Sequence, residues 1–93
     1  MVIGLLTVQL LLEGCDSLKD KRQILKSLIG HLRNEFNISV AETADHDIWR
    51  QSEITSAVVT NDAKFADQVM AQVINHIERD PRVILQNVST ELL

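Results

Sequence analysis

Five cations fall within positions 17 to 33 of this chain, Lys19, Lys21, Arg22, Lys26 and Arg33, and the chemistry open to them is anion recognition. In a helix, where residues turn by about 100° each, Lys19, Arg22, Lys26 and Arg33 gather into a stripe roughly 60° wide. Lys19, Lys21 and Arg22 stand in the first turns, where the positive end of the dipole favours acidic residues. Local helix stability therefore does not account for them. Free N–H groups, a positive dipole end and clustered cations suit a phosphate or carboxylate. The other reading of the stripe is a solvated face, held in weak surface pairs by Glu13, Asp16 or Asp20. Lys21 falls within the apolar sector of the same helix, so its stem is expected along the core edge with the ammonium reaching out at the helix start.

A second stretch, DHDIWRQ at 45–51, concentrates polar chemistry in a loop. Glu42, Asp45, His46 and Asp47 have the donor types for a divalent cation, but Asp is common in turns because it caps them. No metal site and no cofactor is assigned. His46, Trp49 and Arg50 are candidates for a loop contact. The indole could stack on a base or a partner's side chain, or fold back over the end of the core, the placement that general Trp burial favours. His31 and His76 read as helix-surface residues. The lone Cys15 excludes an internal disulfide, suits a reducing cytoplasm and has no His beside it in sequence. Gly-rich phosphate loops, nucleophile elbows and paired-His zinc motifs are absent, and an acid–base enzyme built on Asp45 or Asp47 with His46 has no positive support. No catalytic residue is assigned.

The elements that would position these residues follow from periodicity. Ser17 followed by Asp20 has the spacing of a capping box. Leu18, Ile24, Leu25, Leu28, Ile29, Leu32 and Phe36 then share one broad side, as in a helix that covers a core. Before it, residues 2–13 alternate as a strand with Leu6, Val8, Leu10 and Leu12 on one face and Ile3, Leu5, Thr7, Gln9, Leu11 and Glu13 on the other. Residues 37–44 and 52–60 read as a strand pair forming a hairpin. A second helix opens at Asn61 or Asp62 and carries Phe65, Ala66, Val69, Met70, Val73, Ile74 and Ile77 up to Pro81, which stops it. Residues 82–93 close as a strand. The order βαββαβ specifies a ferredoxin-like plait, a four-stranded antiparallel sheet with two helices on one face.

Ninety-three residues with three Gly and one Pro make a single domain over 1–93 without a linker. The opening apolar run is too short and too polar, at Thr7 and Gln9, to span a bilayer, and no membrane partner is expected. Net charge is −4, yet residues 17–33 contribute +4, which leaves −8 elsewhere. That segregation argues against indiscriminate DNA binding and permits a local contact with RNA or an acidic partner. The plait leaves one sheet face uncovered, with Ile3, Leu5 and Leu11 and apolar groups from the last strand expected on it. Such a patch predicts a homodimer through that face or an edge strand. Aromatics for stacking RNA on that face are missing, since there is no Tyr and both Phe lie at helix positions. Gly30 lies beside the basic stripe, as a packing tolerance or as room for a partner.

The S-L-K-D-K-R run at 17–22, with Phe36-Asn37 after the helix, Trp49 in the loop and Asn61-Asp62 at the second helix start, resembles the YlxP-like family of small bacterial proteins of uncharacterised function. The resemblance runs over essentially the full length. It implies a ferredoxin-like fold and, by genomic association, genes near those for translation initiation and ribosome maturation; it supplies no catalytic residues. His46 and Arg50 stand at positions that vary in that family. Together these readings describe a cytoplasmic binding protein that contacts RNA or the ribosome through its basic helix. The competing reading is a homodimeric module for an anionic metabolite or an acidic protein.

Overall fold

The computed structural model, which describes residues 1–93, runs β1 (Val2–Leu11), α1 (Leu18–Glu35), β2 (Ser39–Ala44), β3 (Gln51–Thr60), α2 (Ala63–Glu78) and β4 (Ile84–Leu92). The strands form one antiparallel sheet in the order β2-β3-β1-β4. Both helices pack on one face of it, giving the ferredoxin-like architecture that the alternating and helical periodicities specify.

The core is the product of those two periods. Leu6, Val8 and Leu10 of β1, with Leu12 just beyond it, point inward beside Ile54 and Val58 of β3 and Val40 of β2. Leu25, Leu28 and Leu32 of α1 and Ala66, Met70, Val73 and Ile77 of α2 close over them. Gly4 lets α2 come down onto the sheet, because a Cβ there would sit 3.1 Å from Val58 Cγ1 and 3.2 Å from the Ala66 Cβ. Phe65, expected on the apolar side of α2, stays half exposed.

Local hydrogen bonds set the element ends. Ser17 Oγ accepts from the Asp20 N–H at 3.1 Å, while the Asp20 carboxylate reaches back to the Asp16 N–H at 3.4 Å, one residue earlier than a standard capping box. Asp62 is the cap of α2, accepting from the Lys64 N–H at 3.0 Å. Beyond α2, Arg82 donates to both carboxylate oxygens of Asp80, at 2.9 and 2.7 Å, and to Ser27 Oγ of α1 at 3.2 Å. The Asp80 carboxylate also accepts the Arg82 N–H, so the turn after Pro81 is strapped to α1.

The uncovered sheet face is polar along its middle. Gln9 Nε2 donates to Glu53 at 2.8 Å and Thr43 Oγ1 donates to the same carboxylate at 2.6 Å. Thr43, Thr55 and Thr7 continue the chain through hydroxyl contacts of 2.9 and 3.3 Å. The apolar groups of the last strand do not all enlarge this face. Ile84 pairs with Leu11 on it, but Val88 and Leu92 pair with Val8 and Gly4 and lie on the helix side. A register shift opposite Gln9/Leu10 divides them, since one extra residue reverses which face a side chain takes.

Arg82 holds the Asp80 carboxyl below the usual carboxylate range, chiefly through its side-chain hydrogen bond. A depressed folded pKa stabilises the fold above the unfolded value of about 4 and loses that contribution as pH falls through the folded value. Asp80→Asn is expected to lower stability at pH 7 by about 1 kcal/mol. In urea titrations at a series of pH values, the two proteins should converge below the carboxylate range. Gly30→Ala, whose added Cβ meets nothing within 4 Å, should raise stability by about 0.5–1 kcal/mol in the same assay.

Candidate functional site

The residues singled out by their chemistry lie at two places on α1. The first is its start, where the SLKDKR run meets the β2–β3 hairpin. Lys21 is 1% exposed, and its ammonium sits 2.9 Å from Glu42 Oε2 and donates to the Asp45 carbonyl. The fully buried Ser52 donates its hydroxyl to the same Glu42 oxygen at 2.7 Å. The expectation that the Lys21 ammonium reaches solvent is therefore corrected. The helix turns Lys21 toward the sheet as its periodicity requires, and the end of β2 supplies a carboxylate there, so the charge is satisfied inside.

The loop beyond β2 is shaped around this contact. Asp45 has φ 65°, a left-handed conformation that Asp tolerates, and its carbonyl serves both Lys21 and the Ile48 N–H. Arg50 Nε donates to the Cys15 carbonyl at 3.1 Å, and the Arg50 carbonyl accepts from Leu12 at 2.9 Å. Its guanidinium lies 4.0 Å from the exposed Asp16, a pair worth little in water. His46 Nε2 lies 3.2 Å from the Glu42 carbonyl. Trp49 is 49% exposed, which corrects its reading as a cover for the core. The core cluster takes in Leu12 and Cys15, both 0% exposed, and leaves the indole outside it. Burial pushes the Cys15 thiol up, with the Asp20 carboxylate adding to the effect, so it stays protonated at neutral pH.

The second place is the flank of α1 turned away from α2. Ser27, His31 and Glu35 face the α2 side, where Ser27 meets Arg82 and His31 approaches His76. Lys19, Arg22, Lys26 and Arg33 lie on the opposite flank over β2, all exposed. Arg33 also donates to the Val40 carbonyl at 2.8 Å. None of the four is within ion-pair distance of a carboxylate. The pairs with Glu13, Asp16 or Asp20 in the solvated-face reading do not form.

One grouping escaped the sequence reading. His31, His76 and Phe36 stack edge-on with ring centroids 6.4 and 6.2 Å apart. His31 and His76, with Glu35, Arg79 and the paired Asp80 and Arg82, line an open cleft of about 500 Å³ between the helices. Their separation of 45 positions hid it; the one signal available was that His31 lies on the flank of α1 opposite the basic stripe. No three His, Cys, Asp or Glu side chains converge as metal ligands.

Comparison with known proteins follows the fold and the motif. The family model described as "Protein of unknown function (DUF503)" matches residues 3–90. The uncharacterized protein YlxP of Bacillus subtilis (strain 168) is 26% identical over 82 residues, spanning 88% of this chain and 89% of the relative. Among solved structures, a de novo designed protein with ferredoxin fold superposes at TM-score 0.58 with 18% identity, over 99% of this chain and 85% of that one. A second designed protein, Foldit4, superposes at 0.55 with 9% identity, over 100% and 97%. At these identities the likeness shows the fold alone.

Removing one member of a buried ion pair leaves the other charge without a partner, which costs about 3–5 kcal/mol. Glu42→Ala is expected to lose that much in chemical denaturation, and the double change Lys21→Met, Glu42→Leu to regain most of it. A Glu42→Ala loss under about 1 kcal/mol would show that the pair is not what joins α1 to the hairpin.

Proposed function

The chain belongs to the DUF503 family of proteins of unknown function, and we propose that it is an RNA-binding protein whose α1 flank engages the phosphates of structured or ribosomal RNA through Lys19, Arg22, Lys26 and Arg33. The observation that carries this reading is four exposed cations on one helix flank, without a carboxylate partner, in a protein of net charge −4. Surface cations on an acidic protein ordinarily lie among carboxylates. A stripe kept clear of them presents a local positive potential.

The shape of the stripe favours a polyanion over a small metabolite. From Lys19 to Arg33 it extends about 21 Å along the helix at 1.5 Å per residue, a ridge and not a pocket. The group that would have closed a pocket at the helix start, Lys21, is buried against Glu42. The uncovered sheet face offers no comparable surface, since it carries Glu53 and Glu91 and neither Phe nor Trp. Phosphate contacts from one helix flank position a partner without reading its sequence, which fits a structured RNA held by shape. Near Arg33, Gly30 leaves open space above the backbone, so a sugar–phosphate chain can approach closely there.

Binding to purified ribosomal subunits or a structured ribosomal RNA fragment should weaken steeply with salt. The variant Lys19→Ala, Arg22→Ala, Lys26→Ala, which alters exposed residues only, should keep its circular dichroism spectrum. It should lose at least about tenfold in affinity, and its log–log salt slope should fall by roughly 2 to 3 for three lost phosphate contacts. Equal affinity and slope in the variant would reject the proposal.

A further inference from the structure

The two edges of the sheet are finished differently. On β2, Ser39 and Ala41 pair with Ala57 and Thr55 of β3, and the alternation of the ladder turns the carbonyls of Val40 and Glu42 outward. Both are occupied by the chain's own side chains: Arg33 donates to Val40 at 2.8 Å and His46 lies 3.2 Å from Glu42. A register shift between Glu42 and Ala44 distorts the same edge. Such devices keep a strand edge from pairing with another chain.

The β4 edge carries no such side-chain cover, and its one register shift, near Gln86, lies outside residues 88–92. Leu93 and Ile3 exchange both backbone hydrogen bonds, at 2.9 and 3.0 Å, so by alternation residues 89 and 91 also face β1, and the backbone groups of Val88, Thr90 and Leu92 point away from the sheet. The side-chain-to-backbone hydrogen bonds of the chain all lie elsewhere. The strand has nine residues, a single charge at Glu91 and no proline. Val88 and Leu92 are 39% and 45% exposed on its helix side.

We infer that β4 pairs antiparallel with β4 of a second copy about a two-fold axis at Thr90, joining two sheets into one of eight strands. This register is self-complementary. Thr90 faces its own counterpart, Val88 faces Leu92 of the second copy, and Leu92 faces its Val88. All three are positions with outward backbone groups, so the pairs form six hydrogen bonds and leave the register shift near Gln86 outside the contact. On the helix side the exposed apolar side chains become cross-strand neighbours. On the other side Glu91 faces Ser89 and not a second Glu91, so the one charge meets no like charge. An axis at Thr90 thus answers backbone, apolar surface and charge together, which points to a second copy over an unrelated peptide. The edge lies across the sheet from the basic flank of α1 and would place two such flanks at the far ends of the dimer. It depends on β4 alone, so its failure leaves the RNA reading untouched.

Sedimentation equilibrium on the full chain at tens of micromolar should give twice the 10.5 kDa chain mass. Thr90→Pro removes an N–H that faces away from β1, so the fold loses no ladder bond while the pairing loses two. The dissociation constant should rise by at least roughly tenfold, with the circular dichroism spectrum unchanged. Val88→Lys, Leu92→Lys should separate the copies as well if the proline variant folds poorly. Thr90→Cys should cross-link under mild oxidation, since directly opposed hydrogen-bonded residues lie about 5.5 Å apart between Cα atoms, inside the disulfide range. Ser89→Cys, displaced from its own counterpart, should not. A monomeric wild-type chain overturns the inference, as does a dimer that survives both edge variants or fails to cross-link through Thr90→Cys.

Discussion

The ion pair between Lys21 and Glu42 is the contact on which the arrangement of the first half of this chain depends. It joins the first turn of α1 to the end of β2, and Ser52 and the Asp45 carbonyl bring the start of β3 and the intervening loop to the same point. Desolvating two charges offsets most of what their attraction returns, so a pair of this kind contributes little net stability against an apolar replacement. Its effect is directional. A hydrophobic side chain would pack in several rotations of the helix, whereas an ammonium at 1% exposure needs its acceptors at its tip. The left-handed backbone of Asp45 turns one of those acceptors toward it.

With that point pinned, the two flanks of the molecule acquire opposite characters. Over β2 the helix presents unpaired cations, and one of them, Arg33, also covers an outward carbonyl of the strand below. Across the sheet, β4 is nearly uncharged and its outward backbone is uncovered. The uncovered sheet face between them is tied up by its own hydroxyl and amide groups, with Glu53 accepting from Gln9 and Thr43. Its polar groups satisfy one another, and this lowers its value as an apolar surface for a partner.

The likeness to two designed proteins, at 18% and 9% identity, explains why so little about function follows from the fold. The plait needs two helical and four strand periods with turns between them, and unrelated sequences provide these. What distinguishes this chain is what the fold does not need: exposed Lys19 and Arg22 at a helix start whose dipole disfavours cations, Lys26 and Arg33 continuing the same flank, and Trp49 left half exposed on a loop already closed by Arg50. No helix is long and apolar enough to cross a membrane.

The sequence by itself determined the order of elements, the inward faces of β1, α1 and α2, the Ser17 cap and the basic stripe, because each depends on neighbours within one or two turns or along one strand. Tertiary structure decided the rest. Whether Lys21 faces water or a carboxylate depends on Glu42, twenty-one positions away and brought up only by the hairpin. Whether Val88 lies with Ile84 depends on a register shift against β1, which no local pattern announces. Whether Trp49 covers the core or stays half exposed depends on how the hairpin loop meets Leu12 and Cys15, distant in sequence and both buried in the core cluster. Local periodicity says which way a side chain points from its own backbone; only the packed chain says what it meets there, and for charges and strand edges that partner decides the chemistry.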